Sequence, residues 1–473
     1  MFAILLLVIL TFCGLAVDAA VLYNRKAELQ GIAQTIALAA ARELDGTAAG
    51  VDSALEQASE AARRLKYRHK LRLPWNTGAI TFSNSPASGA EWVSADTARA
   101  SAARRFYAKV DTRALADQVG SVRAYILPLF WNVMPRASIG HTAIAGRSTI
   151  HAMPLAICAM SATAGASRTN PGPPAAVELV EYGFRRGVTY NLMRLNPDGI
   201  EPANFALDPL APPGGIGSAS NTSASAIAPF VCAGRLWIPR LTGGAIRVGS
   251  PFPIASLYRQ LNSRFDQYGG GACSPNGAPP DFNIKAYTPG ADGGTVWMNP
   301  RPSRQSAMES QAGGRLQTIA DLPAPPSGTT GDLYGPLWAH SRAVKFSSYK
   351  PGSDEPSTGY SKFNPGDWST LYPGAPSPAT ASYPSTQPYD QVEGTHYTRP
   401  ADDLHLEIAV VERRILHVPL LACPVAPGSN VGATALAIGK FFMTAPADAE
   451  GVYAEFTGII PENQLAEEVV LYP

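Results

Sequence analysis

The chain has 473 residues, 45% of them hydrophobic, which is enough for more than one domain with a sizeable core. Its net charge of +1 implies no global attraction to nucleic acid or to anionic membranes, and no nucleic acid is expected among its partners. With 43 Gly and 42 Pro but only 16% charged residues, the composition favours an ordered, loop-rich β protein over disorder.

The chain opens on a run without charge, Phe2 to Val17, closed by Asp18. Extended to Tyr23, the run makes about 33 Å of helix, enough to cross a hydrocarbon core of about 30 Å. A cleaved signal peptide would start with basic residues, and none precedes Asp18. Leu22, Leu29, Ile32, Ala33, Ile36, Ala40 and Leu44 recur at helical spacing. The helix is therefore expected to continue past Ala19-Ala20, with residues 1–23 as a retained transmembrane signal-anchor. Arg25 and Lys26 place the bulk in the cytoplasm by the positive-inside rule. Dispersed cysteines and the β-rich body argue for an oxidising compartment instead; a basic segment upstream of the given start would reconcile the two.

Asp45-Gly46 and Gly50 are expected to end the first helix. A second, from Asp52 to about Tyr67, completes a helical stalk over 24–67. It ends in a basic string: Arg63, Arg64, Lys66, Arg68, His69, Lys70 and Arg72. Cations suit the negative end of a helix dipole, so this reads as a solvated helix C-terminus, with a patch for acidic lipid or nucleic acid as the alternative.

From Pro74 the patterning turns to β. In a first β-rich part, 68–162, "GAITFS" and "RRFYAKVDTR" alternate as strands do, "SVRAYILPLFW" is a buried strand or a short helix broken by Pro128, and Ser138 to Met160 holds one or two strands. A second α+β part, 163–330, contains a hairpin, "VELVEYGFRRGVTYNLMRL", preceded by a linker from Ser161 to Ala176. Loops fill Asn196 to Ala228, "FVCAGRLWIPRL" and "GAIRVG" read as paired strands, and "IASLYRQLNSRFDQY" as a helix. The Pro/Gly/Tyr-rich region 331–400 is ordered surface loop or a sticky contact region. A C-terminal β unit, 401–473, carries the strongest strand signal, "DLHLEIAVVERRILHVPLLAC", then "VGATALAIGKFFMTA" and "GVYAEFTGII". The fold class expected is α+β: a long N-terminal transmembrane and amphipathic helix, then a loop-rich, mainly antiparallel β body with few helices.

Cys13 sits in the apolar run as a small hydrophobe. The other four, Cys158, Cys232, Cys273 and Cys423, allow three disulfide pairings, and no CxxC or CxxH spacing suggests zinc. One internal echo bears on the pairing. "IHAMPLAIC", ending at Cys158, resembles "LHVPLLAC", ending at Cys423. This is coincidence between two apolar strands, or the segments are neighbours bridged by Cys158–Cys423, leaving Cys232–Cys273.

No nucleophile elbow, zincin helix, phosphate loop or calcium loop occurs. Asp403, His405 and Glu407 alternate onto one face of the expected strand and could take a metal or do acid–base work, but a solvated strand face is the simpler reading. His141, His151 and His417 read as hydrogen-bonded core residues. No catalytic residue, cofactor or metal is expected, and the chain is taken as non-enzymatic.

"GLAVDAAVLYNRKAELQGIAQTIALAAARELDG", Gly14 to Gly46, resembles the N-terminal signature of the TadE/TadG-like proteins of bacterial Tad (tight adherence) Flp pilus systems. Leu15-Ala16-Val17-Asp18, Leu22-Tyr23, Arg25-Lys26, Leu29-Gln30 and Ala37 to Leu44 carry the likeness, and a weaker one lies at "RRILHVPLLACP", Arg413 to Pro424. The von Willebrand A metal motif of many TadG-like proteins and a TadE-type prepilin peptidase site are absent from this sequence. The resemblance implies a membrane-anchored, non-enzymatic component of pilus assembly or secretion, single-pass in the bacterial inner membrane with a periplasmic body, or at the cell surface. Its implied partners are other pilus-assembly or pilin-like membrane proteins, and membrane lipid through the N-terminal helix. Asp18, Tyr23, Arg25 and Lys26 are then the candidate membrane-anchor and helix-contact residues. Asp18 marks the water interface or meets Arg25 or Lys26 of a neighbouring helix. The other readings are an envelope adhesin that binds carbohydrate through the Trp338–Tyr397 loops, and a secreted or anchored hydrolase.

Overall fold

No proline occurs before Pro74, and alanine dominates the stretch behind the apolar run, so nothing interrupts helical hydrogen bonding there. In a computed structural model of the chain, helix α1 accordingly runs unbroken from Phe2 to Glu43. The structure describes residues 2–68, 70–87, 89–102, 105–123, 136–172, 175–288, 305–312, 315–318, 334–373, 384, 386–467 and 469–472. Asp45 turns the chain after α1: its Oδ1 accepts the Thr47 N–H at 2.8 Å, and Gly46 takes the left-handed φ of 81° that glycine tolerates at a helix end. Thr47 then caps helix α2, Ala48–Arg64, through Gly50 N–H at 3.0 Å. This cap starts α2 ahead of the expected Asp52. The helix also ends before Tyr67, because Lys66–Tyr67 (β1) pairs with Leu71–Arg72 (β2) in a short hairpin. Among the described residues, no helix is long and apolar enough to cross a membrane, so the fold does not by itself support the transmembrane span expected at 1–23.

The chain forms two compact units, 1–148 with 466–473, and 149–465. In the first, Ile80–Ser83 (β3), Tyr107–Asp111 (β4), Ser121–Arg123 (β5), Arg136–Ser138 (β6) and Thr142–Gly146 (β7) are antiparallel strands. β3, β4 and β7 form one sheet, completed by the last strand of the chain, Val470–Tyr472 (β20), paired along β7. The buried face of α1 (Leu29, Ile32, Ile36, Ala40) shares one core with α2 and this sheet. On α2, Gly50, Ala54, Ala58 and Ala62 are buried at four-residue spacing, a row of small side chains that lets two helices approach closely. Residues 124–131 of "SVRAYILPLFW" lie outside the described residues.

The second unit is the stretch between β7 and β20. Its strands are Leu155–Cys158 (β8), Ala166–Asn170 (β9), Ala176–Glu181 (β10), Phe184–Arg185 (β11), Thr189–Asn191 (β12), Asn204–Leu207 (β13), Ala245–Gly249 (β14), Glu309–Ala312 (β15), Arg315–Thr318 (β16), Ile415–Leu421 (β17), Val431–Met443 (β18) and Tyr453–Ile460 (β19). The pairings close into a ring, β18-β14-β13-β8-β17 and back to β18, with β19 and β12 extending from β18. Alternation sorts the side chains. Ala156, Cys158, Phe205, Leu207, Ile246 and Val248 fill one cluster, while Leu155, Ile157, Leu416, Val418 and Leu420 enter a larger one shared with β19.

The ring closes at the parallel β8–β17 seam, which is only two residue pairs long, Leu420↔Ile157 and Leu421↔Cys158. There the Cys158–Cys423 disulfide joins the strands, and Cys232–Cys273 forms a second bridge. The "PLxxC" echo is thus a pair of adjacent strands. Cys158–Cys423 closes a loop of 265 residues, and in the chain-entropy picture long loops gain most. The double variant Cys158→Ser/Cys423→Ser is expected to lose about 2–5 kcal/mol in urea unfolding; an unchanged midpoint would contradict a stapling role at the seam.

Several segments depart from the sequence reading. "FVCAGRLWIPRL" is not a strand: Ala224–Ala233 is a helix that buries Ile227 and Val231 and ends at Gly234, φ 69°, while "GAIRVG" is β14 and Ile254–Leu261 is helical. The linker at Ser161–Ala176 contains β9, whose inward residues, Arg168 and Asn170, are polar and so hid its alternation. β10 and β11 make the expected hairpin through Tyr182 and Gly183, both at positive φ, as two-residue hairpin turns require; β12 leaves it to pair with β19. The six-part division drawn from composition differs from the two units because strand pairing returns residues 470–472 to residues 144–146.

Candidate functional site

Apolar side chains gain nothing by facing water, yet several in the uncharged run at the start of α1 do so. Phe2, Leu5, Ile9, Phe12, Leu15 and Val17 are exposed, Phe2 at 79% and Phe12 at 68%, and the one free cysteine among the described residues, Cys13, is exposed beside them. Exposed apolar surface of this extent marks an interaction site.

The covered face of the same helix runs Gly14, Asp18, Arg25, Leu29, Ile32, a spacing of three, four and seven residues that keeps one side of α1 inward. Two of its members are ionisable. Asp18 is 1% exposed and Arg25 6%. Arg25 pairs with Glu28 three residues on, within α1, and its guanidinium lies 5.3 Å from the centre of the Tyr67 ring. Glu28 in turn accepts the Arg68 N–H at 2.7 Å. Arg25 and Glu28 thereby clamp the β1–β2 hairpin to α1. Tyr23 and Lys26 are exposed on the other side. Sequence reasoning singled out Arg25 but missed Glu28, whose signal was its place in the same helical stripe, and Arg68, which becomes a neighbour only through the hairpin.

The remaining candidates disperse. Asp402 caps a short helix, Asp403–Glu407, through Leu404 N–H, so Asp403, His405 and Glu407 do not share a strand face. His405 Nδ1 instead meets Asp266 at 2.6 Å, and Asp403 faces Arg399 at 3.8 Å. His141 is half-buried, with its N–H on Thr112 Oγ1 at 2.8 Å. His151 is exposed rather than in the core, and its carbonyl lies 3.0 Å from His417 Nδ1. No group of three or more His, Cys, Asp or Glu side chains that could hold a metal ion occurs among the described residues. Of the aromatics in the Pro/Gly/Tyr-rich region, Trp338, Trp368, Tyr372 and Tyr389 are buried in the main core, which leaves these four unable to stack on a sugar.

What the second unit holds instead is a set of buried charges that order its loops. The Arg185 Nε reaches both Glu178 oxygens at 3.0 and 2.9 Å, and its Nη2 donates to Leu371 O at 2.9 Å. The Glu455 carboxylate, wholly buried, accepts N–H groups of Ala339, His340 and Ser341 at 2.6, 3.0 and 2.6 Å. Burial pushes its pKa up to about 8 in spite of those three donors. His340 stacks on Phe442 with ring centres 4.8 Å apart. Its pKa falls to about 3, first through burial and then through Lys440, Arg414 and Lys362. A histidine whose folded pKa lies below its unfolded value stabilises above the unfolded value, and that stability is lost as pH falls. His340→Gln removes one such group. The stability of the native chain relative to this variant is expected to drop by about 1.4 kcal/mol per pH unit below about 6.5, read by urea unfolding at stepped pH; Glu455, which acts in the opposite direction, cancels in the difference. A pH-independent difference would contradict a neutral buried imidazole.

Residues 1–43 match the family model described as putative Flp pilus-assembly TadE/G-like. The matched stretch ends at Glu43, where α1 ends, so the similarity to TadE/G-like proteins is carried by this helix. It includes the exposed apolar half together with Asp18, Tyr23, Arg25 and Lys26. The weaker likeness at Arg413–Pro424 lies outside the matched residues. No curated protein and no solved structure matches the chain.

Proposed function

We propose that the chain is a non-enzymatic component of Tad/Flp-type pilus assembly or secretion, held in the bacterial inner membrane by α1, with its body in the periplasm. The observation that carries this reading is the set of exposed apolar residues in the uncharged run Phe2–Val17 of a helix that coincides with the TadE/G-like match. Phe2 to Val17 alone is about 24 Å of helix, short of a core of about 30 Å. The embedded stretch therefore reaches toward Tyr23, which is tenable because Asp18 is covered on the inward face and not presented to lipid. Two disulfides in the body support an oxidising compartment.

The partners in this reading are pilin-like or assembly proteins that pack on the outer face of α1. A photo-crosslinker at Tyr23, exposed on that face, is expected to trap a small membrane protein of the same pilus system in cells. Adducts only to soluble proteins would count against the assignment.

A further inference from the structure

Between Glu60 and Glu91 the chain has no acidic residue, and six of the ten residues from Arg63 to Arg72 are Lys or Arg. All six are exposed, as is Leu71 among them, though the Arg68 guanidinium is engaged by the Ser121 carbonyl. The structure adds where this charge sits. The β1–β2 hairpin does not trail off into solvent behind α2. It is fastened to α1 at Arg25 and Glu28, by the Arg25–Tyr67 contact of 5.3 Å and the Arg68 N–H to Glu28 bond of 2.7 Å. Along α1, those two residues lie about 3 to 8 Å beyond Tyr23, toward which the embedded stretch reaches.

That distance is informative. The polar headgroup layer on each side of a bilayer is about 5 to 7 Å thick, and the field of an anionic surface extends about another 8 Å into physiological salt. A hairpin fastened at this height on an embedded α1 lies within reach of the surface. Its neighbouring acids do not cancel it: Glu28 is engaged by Arg25 and the Arg68 backbone, and Glu60 faces Arg63 and Arg64 only. We propose that the β1–β2 hairpin is a lipid-contact element that binds anionic phospholipid headgroups, with Lys66, Lys70 and Arg72 as the contacting cations and Leu71 dipping toward the interface. This inference rests on the membrane placement of α1 proposed above and adds a second, electrostatic point of attachment that fixes the height of the first unit. Single apolar anchors gain stability from a basic patch beside them.

The test uses the full chain reconstituted into vesicles, with one environment-sensitive dye at a time. A dye on native Cys13 reports helix insertion through quenching by acyl-chain spin-labelled lipid. The same dye on Leu71→Cys, in a Cys13→Ser background, reports the hairpin through quenching by headgroup spin-labelled lipid. Each basic residue near an anionic surface is worth about fivefold in local affinity. Quenching at position 71 is therefore expected to be at least about threefold stronger in phosphatidylglycerol-containing vesicles than in pure phosphatidylcholine. It should collapse in about 0.5 M salt and be absent in Lys66→Gln/Lys70→Gln/Arg72→Gln. Equal quenching at position 71 in both lipids, with Cys13 still quenched, overturns the hairpin inference and leaves the anchor standing. Cys13 unquenched in either lipid overturns the anchor, and the hairpin inference with it.

Discussion

Arg185→Met is expected to destabilise the second unit by about 3–5 kcal/mol, because it strands the fully buried Glu178 carboxylate. Arg185 is itself wholly buried. Burial opposes its charge, and Glu178, Tyr372 and Tyr334 more than restore it, so its pKa rises. The guanidinium also holds the Leu371 carbonyl and lies 5.0 Å from the Tyr372 ring centre, so its loss removes one of the ties between the Pro/Gly/Tyr-rich segment and the β10–β11 hairpin. Glu178 keeps Asn170 Nδ2 at 3.1 Å and the Arg168 Nη1 at 3.7 Å, the latter beyond hydrogen-bond reach, which does not replace the close Arg185 pair for an anion in that setting. Adding Glu178→Leu to Arg185→Met should recover part of the loss, since an apolar pair avoids the desolvation of two charges. Thermal unfolding of the three variants gives the answer. A loss below about 1 kcal/mol for the single variant would mean that the pair is not buried as described.

The second large effect concerns α1. Ile9→Arg with Phe12→Arg places two cations in the middle of the exposed apolar stretch, at a cost of about 6 kcal/mol for a helix in lipid. That corresponds to about four decades in partition, and the variant is expected in the soluble fraction. Neither residue contributes to the buried core that α1 shares with α2 and the sheet, so the body should fold as before, with unchanged circular dichroism. Membrane retention of this variant would show that the helix is held by something other than its apolar surface.

Local chemistry made much of the fold legible. The α1 stripe, the Asp45-Gly46 break, the β3 and β4 alternation and the long C-terminal strands all advertise themselves because their buried residues are apolar and periodic. Reading failed where burial was polar or two-sided. β9 turns Arg168 and Asn170 inward, and β13 buries every residue from Asn204 to Leu207, so neither shows the alternation of a strand. The aromatics from Trp338 to Tyr389 looked like a contact surface because their loops have no period. Their loops are tied to distant strands instead: Glu455 accepts the N–H groups of Ala339, His340 and Ser341, and Arg185, paired with Glu178, donates to the Leu371 carbonyl. At the candidate site, Asp18 and Arg25 could be named from the sequence, but their burial could not. It depends on which face of α1 is covered, and the neutral residues around Asp18 give no sign of that.

The most direct test of the central claim is alkaline carbonate extraction of membranes from cells that make the native chain, with N-terminal sequencing of what is recovered. Protein that stays in the pellet, dissolves only in detergent and still carries residues 2–17 is the predicted result. A mature chain that begins near Val21 and is released without detergent would contradict it.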